Sequence, residues 1–238
     1  MTGASRGLGK VIGAAFCRAG ARVALVARTG AALDEAVAEM CGQTLVCPAD
    51  VTSPDGNRTV VEAVEQAWGG VDVWVANAGI SPVVANVLDM DPEDWRSIHS
   101  VNLDGAFYGA QAAARSMVGN GGGRIIVTTS SLAERPRRGL AGYSSSKAGA
   151  TALVKAMALD LARHDITVNA VAPGWFDSPM AEGWQKNPEL ERRILDHTAL
   201  GRWGRGEDLP GAYLFLASDA AAYVTGTVLT VDGGYVCV

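Results

Sequence analysis

The chain has 238 residues, 48% of them hydrophobic and 6% aromatic, with 29 glycines and a formal net charge of −5. That is enough apolar material for one sizeable core, and too much for a disordered chain. The acidic balance speaks against nucleic acid or an anionic membrane as the main partner, and no apolar run approaches the ~20 residues that span a bilayer. Cys17, Cys41, Cys47 and Cys237 form no C-x-x-C pair and no His cluster accompanies them. Neither a metal site nor a disulfide framework is therefore expected, and reduced thiols in the cytoplasm are the simplest reading.

The chain opens on MTGASRGLGK, where Gly3, Gly7 and Gly9 run directly into a helical pattern. Glycine lets the backbone turn tightly and approach a ligand, and a helix N-terminus supplies free N–H groups for phosphate. Such a loop ordinarily follows a buried strand, yet only Met1 precedes the Thr2-Gly3 pair. Further on, apolar runs of strand length, RVALVA (22–27), QTLVCP (43–48), VDVWVA (71–76), GRIIVTTS (123–130), ITVNAVA (166–172) and TVLTVD (227–232), alternate with helical stretches. Those stretches are AALDEAVAEM, RTVVEAVEQAW, GAFYGAQAAARSMV and KAGATALVKAMALDLARH. The alternation predicts an α/β fold: one Rossmann-like, doubly wound parallel sheet with helices on both faces, formed by residues 1–238 as a single domain. The least regular stretch, 174–206, is expected to be a substrate lid.

Two arginines bear on the cofactor. Arg6 lies in the glycine loop and Arg28 follows the RVALVA strand, where dinucleotide-binding folds meet the adenosine ribose. An acidic residue there accepts from a free 2′-OH, whereas arginines pair with a 2′-phosphate, so NADP is favoured over NAD. The competing reading makes both arginines solvated surface charges.

In YSSSK, Tyr143 and Lys147 stand at i and i+4 and share a helix face. A phenol is a poor base near neutrality, but an adjacent cation favours the phenolate, which makes Tyr143 a candidate proton shuttle. ANAG (76–79), VNLDG (101–105) and TTSS (128–131) fall at or near strand ends, where ligands of open α/β sheets bind.

Together, TGASRGLG, Asp50-Val51, ANAG, Asn102, the Ser130 region, YSSSK, APGW (172–175) and the ending RWGRGEDLPGAYLFLASDAAAYVTGTVLTVDGG resemble the compact branch of the short-chain dehydrogenase/reductase family. The resemblance runs in order along essentially the whole chain. It implies a sheet of strand order 3-2-1-4-5-6-7, a homotetramer, and transfer of a hydride between NADP(H), or NAD(H), and a carbonyl or secondary alcohol. In the family the active serine usually sits seven residues after the glycine that opens its strand and thirteen before the tyrosine, and counted from Gly123 and Tyr143 the resemblance implies Ser130 rather than Ser131. Tyr143 would be the general acid or base and Ser130 would hold the substrate oxygen. Lys147 would bind the nicotinamide ribose and lower the tyrosine pKa, and Asn102 would hold a water leading to solvent. Gly3, Arg6, Gly7, Leu8 and Gly9 would line the pyrophosphate and ribose, Asp50 and Val51 the adenine, and Asn77, Ala78 and Gly79 the ribose side. Pro173 and Gly174 would flank the nicotinamide, and Ser178 stands where the family often has a threonine.

The resemblance leaves the substrate open between a 3-oxoacyl thioester and a sugar or polyol. Arg135, Arg137 and Arg138 fit either an anionic substrate or a solvated loop, and Trp175, Trp184 and Trp203 either a pocket wall or a subunit contact. His99, His164 and His197 have no partner pattern. A different class, an NADP-binding sensor or scaffold without turnover, is the alternative. The family places a short apolar strand before the Thr2-Gly3 pair, so an incomplete start is the expectation for this sequence.

Overall fold

The computed structural model describes residues 1–238. In chain order the elements are α1 (Gly7–Arg18), β1 (Val23–Ala27), α2 (Gly30–Ala38), β2 (Thr44–Pro48), α3 (Pro54–Trp68), β3 (Val73–Ala76), α4 (Pro92–His99), α5 (Gly105–Gly119), β4 (Gly123–Thr128), α6 (Ala141–Leu161), β5 (Ile166–Pro173), α7 (Glu182–Gln185), α8 (Pro188–Leu195), α9 (Pro210–Ala217) and β6 (Val228–Val231). All strand pairs are parallel, in one pair β1-β2 and one run β3-β4-β5-β6.

Residues 1–4 join the two parts. The Thr2 N–H donates to Val75 O at 3.0 Å on one side, while the Val26 N–H donates to Met1 O at 2.9 Å on the other. The order across the molecule is thus β2, β1, residues 1–4, β3, β4, β5, β6, which is the expected 3-2-1-4-5-6-7 with residues 1–4 in the place of the first strand.

Successive side chains of a strand point to opposite faces, and here both faces are covered. Ala24, Val26, Trp74, Ala76, Ile125, Val127, Val168 and Ala170 enter a core with side chains of α3, α5 and α6. Val23, Leu25, Val75, Ile126 and Val171 enter a second core with Ile12, Phe16, Tyr213 and Leu216 from α1 and α9. This double burial is why the strands read as continuous apolar runs rather than alternating ones.

The helices the periodicity missed are short and set by their caps. At α4 the Asp91 carboxylate accepts from the Glu93 N–H, with Pro92 at the first position and two acids in the first turn. At α8 the Asn187 side chain accepts from the Glu189 and Leu190 N–H groups. Likewise α3 begins ahead of its apolar stripe because Ser53 Oγ accepts from the Gly56 N–H and Pro54 follows it. The irregular 174–206 segment therefore holds two short helices, α7 and α8, and is tied back by a bridge between Phe176 and Gly204.

The strands end nearly level, with Ala76 opposite Val127, Thr128 opposite Val171 and Pro173 opposite Val231. Asn77, Ser130, Gly174 and Asp232 all leave the sheet along this one edge.

Candidate active site

The glycine loop is built by close approach. Gly3 and Gly7 have φ of +64° and +54°, a region that side chains disfavour. A Cβ on Gly9 would overlap the Gly3 carbonyl oxygen, and one on Gly3 would stand 2.8 Å from Ala78 Cα. Thr2 Oγ1 accepts from the N–H groups of Asn77 (2.9 Å) and Ala78 (3.0 Å), and Asn77 Nδ2 donates back to Thr2 O at 3.1 Å. The loop and the ANAG turn are therefore one hydrogen-bonded unit. Arg6 precedes α1 and gives it no side-chain cap, and no acid lies in its first turn, so the first N–H groups stay free for an anion. Arg6 and Arg28 are both exposed and neither has an ion-pair partner. These features fit the pyrophosphate and 2′-phosphate of a dinucleotide, the group the fold family implies.

Asp50 and Val51 follow β2. Asp50 Oδ1 accepts from both the Thr52 N–H (2.9 Å) and its hydroxyl (2.8 Å), and Val51 is buried. The structure brings neither arginine nor Asp50 into hydrogen-bond contact with the catalytic candidates.

Those candidates meet at the ends of β3 and β4 and on the first turns of α6. Lys147, 3% exposed, donates from Nζ to Thr128 O at 2.7 Å and has no carboxylate partner. Burial lowers its pKa from the usual 10.5 to about 8. Tyr143 lies one helical turn earlier, and burial raises its phenol pKa, with the Ser130 hydroxyl offsetting part of the rise. The expected lowering by Lys147 is not the dominant effect: the ammonium is held toward Thr128 O, 5.9 Å from the tyrosine ring centre, and desolvation prevails. Ser130 is buried and in extended backbone, and its Oγ accepts from the Leu132 N–H at 3.1 Å, which leaves its own proton free to donate. Ser131 Oγ is buried without a partner on the other side of the turn.

Asn102 sits in a π-helical turn, Ser100–Asp104, between α4 and α5. Its Oδ1 accepts from the Ile80 N–H (2.8 Å), and its Nδ2 donates to Ile80 O (3.0 Å) and Ser146 Oγ (3.1 Å). A Cβ on Gly79 would stand 3.3 Å from Lys147 Nζ and 3.4 Å from Asn102 Oδ1, so glycine there keeps a gap between ammonium and amide. Pro173 ends β5, and Gly174 is tight against the C-terminal turn, where a Cβ would meet Asp232 Cβ at 2.5 Å. Next to Ser178, Pro179 Cδ lies 3.5 Å from where a Gly7 Cβ would stand, so this stretch overlies the glycine loop.

Three residues at the site carried no signal of their own in the sequence. Thr128 supplies the carbonyl for Lys147, and its hydroxyl bonds both Asn77 Oδ1 (3.2 Å) and the fully buried Tyr213 OH (2.7 Å). Ser146 links Asn102 to Tyr143 O. Thr128 stood inside the TTSS motif, but nothing in the motif distinguishes it, and Tyr213 reads as one more core position of an apolar helix.

Residues 3–236 match the family model described as enoyl-(acyl carrier protein) reductase. The chain belongs to the short-chain dehydrogenase/reductase family. Among its relatives, the gluconate 5-dehydrogenase of Gluconobacter oxydans is 37% identical over 98% of this chain and 92% of that protein. The 7alpha-hydroxysteroid dehydrogenase of Escherichia coli K12 is also 37% identical, over the same shares. A solved gluconate 5-dehydrogenase from Burkholderia cenocepacia, in complex with NADP and tartrate, superposes with a TM-score of 0.95 at 33% identity, covering 100% of this chain and 94% of that one. At the level of the family this dehydrogenase/reductase is an NAD(P)-dependent oxidoreductase acting on CH–OH and C=O groups. No helix is long and apolar enough to cross a membrane.

Proposed function

We propose that this dehydrogenase/reductase interconverts a carbonyl and a secondary alcohol with NADP(H) as redox partner, Tyr143 serving as general acid and base. The observation that carries the reading is the meeting of Tyr143, Ser130 and buried Lys147 at the strand edge beside the glycine loop. Gly3, Gly7, Leu8 and Gly9 with the α1 N-terminus would hold the pyrophosphate, Arg6 and Arg28 the 2′-phosphate, Asp50 and Val51 the adenine, and Asn77 to Gly79 the ribose. Pro173, Gly174 and Ser178 would border the nicotinamide, which supplies or takes up the hydride.

The chain's own groups handle the proton. Because burial raises the Tyr143 pKa, the phenol is protonated near neutrality and ready to donate to a developing alkoxide. Ser130, with its oxygen already accepting from Leu132, donates its proton to the same substrate oxygen and steadies it. Lys147 holds a proton beside the Gly79 gap, and a water between Nζ and Asn102 Oδ1 would return protons from solvent. In the oxidation direction the same groups run in reverse, and residues 174–206 act as the lid. Exposed Leu159 on α6 and the half-buried edge strand β6 support the homotetramer that the resemblance implies.

Tyr143→Phe tests the mechanism. NADPH-dependent reduction of a carbonyl panel should fall by ~100-fold or more while NADPH affinity stays within about twofold. Surviving activity would refute the role of Tyr143. Tight NADPH binding by wild type with no turnover of any carbonyl would favour a sensor instead.

A further inference from the structure

Beside Tyr143 the structure assembles an aromatic cluster. Leu132, Leu140 and Tyr235 form a small buried cluster onto which Tyr143, Trp175 and Trp184 pack. The Trp175 ring makes edge contacts with Trp184, Trp203 and Tyr235 at centroid distances of 5.2, 5.9 and 6.2 Å. Three stretches far apart in sequence thus converge: the chain from Ser130 to Tyr143, the 174–206 segment and the C-terminal turn. That turn is fixed by Asp232, whose carboxylate accepts from the N–H groups of Gly234 and Val236 at 2.9 Å each.

Two arginines lie against these rings. The Arg137 guanidinium lies 5.4 Å from the Trp175 ring centre and 5.6 Å from that of Trp184, and Arg135 lies 4.9 Å from that of Tyr235. Both are half-buried, and neither pairs with a carboxylate, although ten ion pairs form elsewhere in the chain. Arg135 is partly spent on Tyr235 O, whereas Arg137 has no hydrogen-bond acceptor. Arg138, by contrast, is exposed. The Trp175 indole N–H is also buried without a partner, while that of Trp203 is taken by Glu191 at 3.0 Å. Arg137 thus keeps unspent donors beside the rings.

We propose, resting on the oxidoreductase reading above, that the substrate is a ketone or secondary alcohol on an aromatic or alicyclic body that carries a carboxylate. The rings take the apolar body, while Arg137 takes an acceptor-only anion. An open-chain polyol would lay several hydroxyls on aromatic rings, leaving them desolvated and poorly paired.

The test uses 4-acetylbenzoate, its methyl ester, 5-keto-D-gluconate and 2,3-butanedione, each with NADPH. Wild type should reduce 4-acetylbenzoate with a kcat/KM about tenfold or more above the ester, the worth of one charge-assisted pair, and above 5-keto-D-gluconate. In Arg137→Met the acid-to-ester ratio should collapse toward one, and in Arg138→Met it should stay. Calorimetric affinity for 4-acetylbenzoate in the presence of NADP should fall in step with the ratio, and NADP affinity itself reports that each variant is folded. An acid-to-ester ratio near one in wild type, a ratio unmoved by Arg137→Met, or a preference for 5-keto-D-gluconate would overturn the proposal. Reduction of 2,3-butanedione reports the oxidoreductase reading separately. If every carbonyl is inert, that reading fails, and Arg137-dependent binding of 4-acetylbenzoate alone decides the aromatic site.

Discussion

Replacing Lys147 by methionine separates what the buried ammonium does for chemistry from what it costs the fold. The group is 3% exposed, bonded to one carbonyl and faced by no carboxylate, and its pKa stands at about 8 against the usual 10.5. The unfolded chain therefore holds this proton more tightly than the folded one. Below about pH 8 both states are charged and the folded state bears the whole cost. Between about pH 8 and 10.5 only the unfolded state keeps the proton, so rising pH relieves the cost and wild type gains stability relative to the variant. At about 1.4 kcal/mol per pKa unit the full effect is about 3 kcal/mol, of which roughly 2 to 3 kcal/mol develops between pH 7 and 10. The bond to Thr128 O, which favours the charged form, is already contained in that net shift. Urea unfolding of wild type and Lys147→Met at equal protein concentration, in steps from pH 7 to 10, reads the difference directly. The expected outcome is that the stability of wild type relative to the variant climbs with pH, while the variant is inactive throughout. A difference that stays flat would show that the ammonium is not held uncompensated in the interior beside Tyr143.

Two further outcomes bear on the cofactor. The double variant Arg6→Ala/Arg28→Ala should lower the NADPH-over-NADH ratio of kcat/KM by about tenfold or more, since each guanidinium offers charge-assisted bonds to a 2′-phosphate; an unchanged ratio would leave both as surface charges. Gly9→Ala should cost about 1–3 kcal/mol in thermal unfolding and weaken NADPH binding, because its Cβ would overlap the Gly3 carbonyl and approach Asn77 Nδ2 to 2.7 Å. Gly183→Ala, with open space around it, is the control and should do neither.

Much of this protein was legible as pattern. The strands fell within a few residues of where apolar runs placed them, because burial on both faces demands such runs whatever the rest of the chain does. The conformation of Gly3 and Gly7 and the i, i+4 spacing in YSSSK are likewise local, fixed by backbone geometry and one helical turn, whereas the choice of Ser130 comes from the family resemblance. The caps of α4 and α8 were as local, but they sit outside any apolar period and so escaped a reading based on periodicity.

What lay beyond the sequence was everything decided by neighbours distant along the chain. That Lys147 turns to Thr128 O, that burial rather than the ammonium sets the Tyr143 pKa, and that Asn102 spends its amide on Ile80 and Ser146 are consequences of packing. The same holds for Arg135 and Arg137, which a linear reading could equally place on a solvated loop. Only the fold lays them on rings supplied by residues 175, 184 and 235. Residue type and spacing determine which chemistry is available; desolvation and the choice of partner, which set protonation and charge pairing, exist only once the chain has closed on itself.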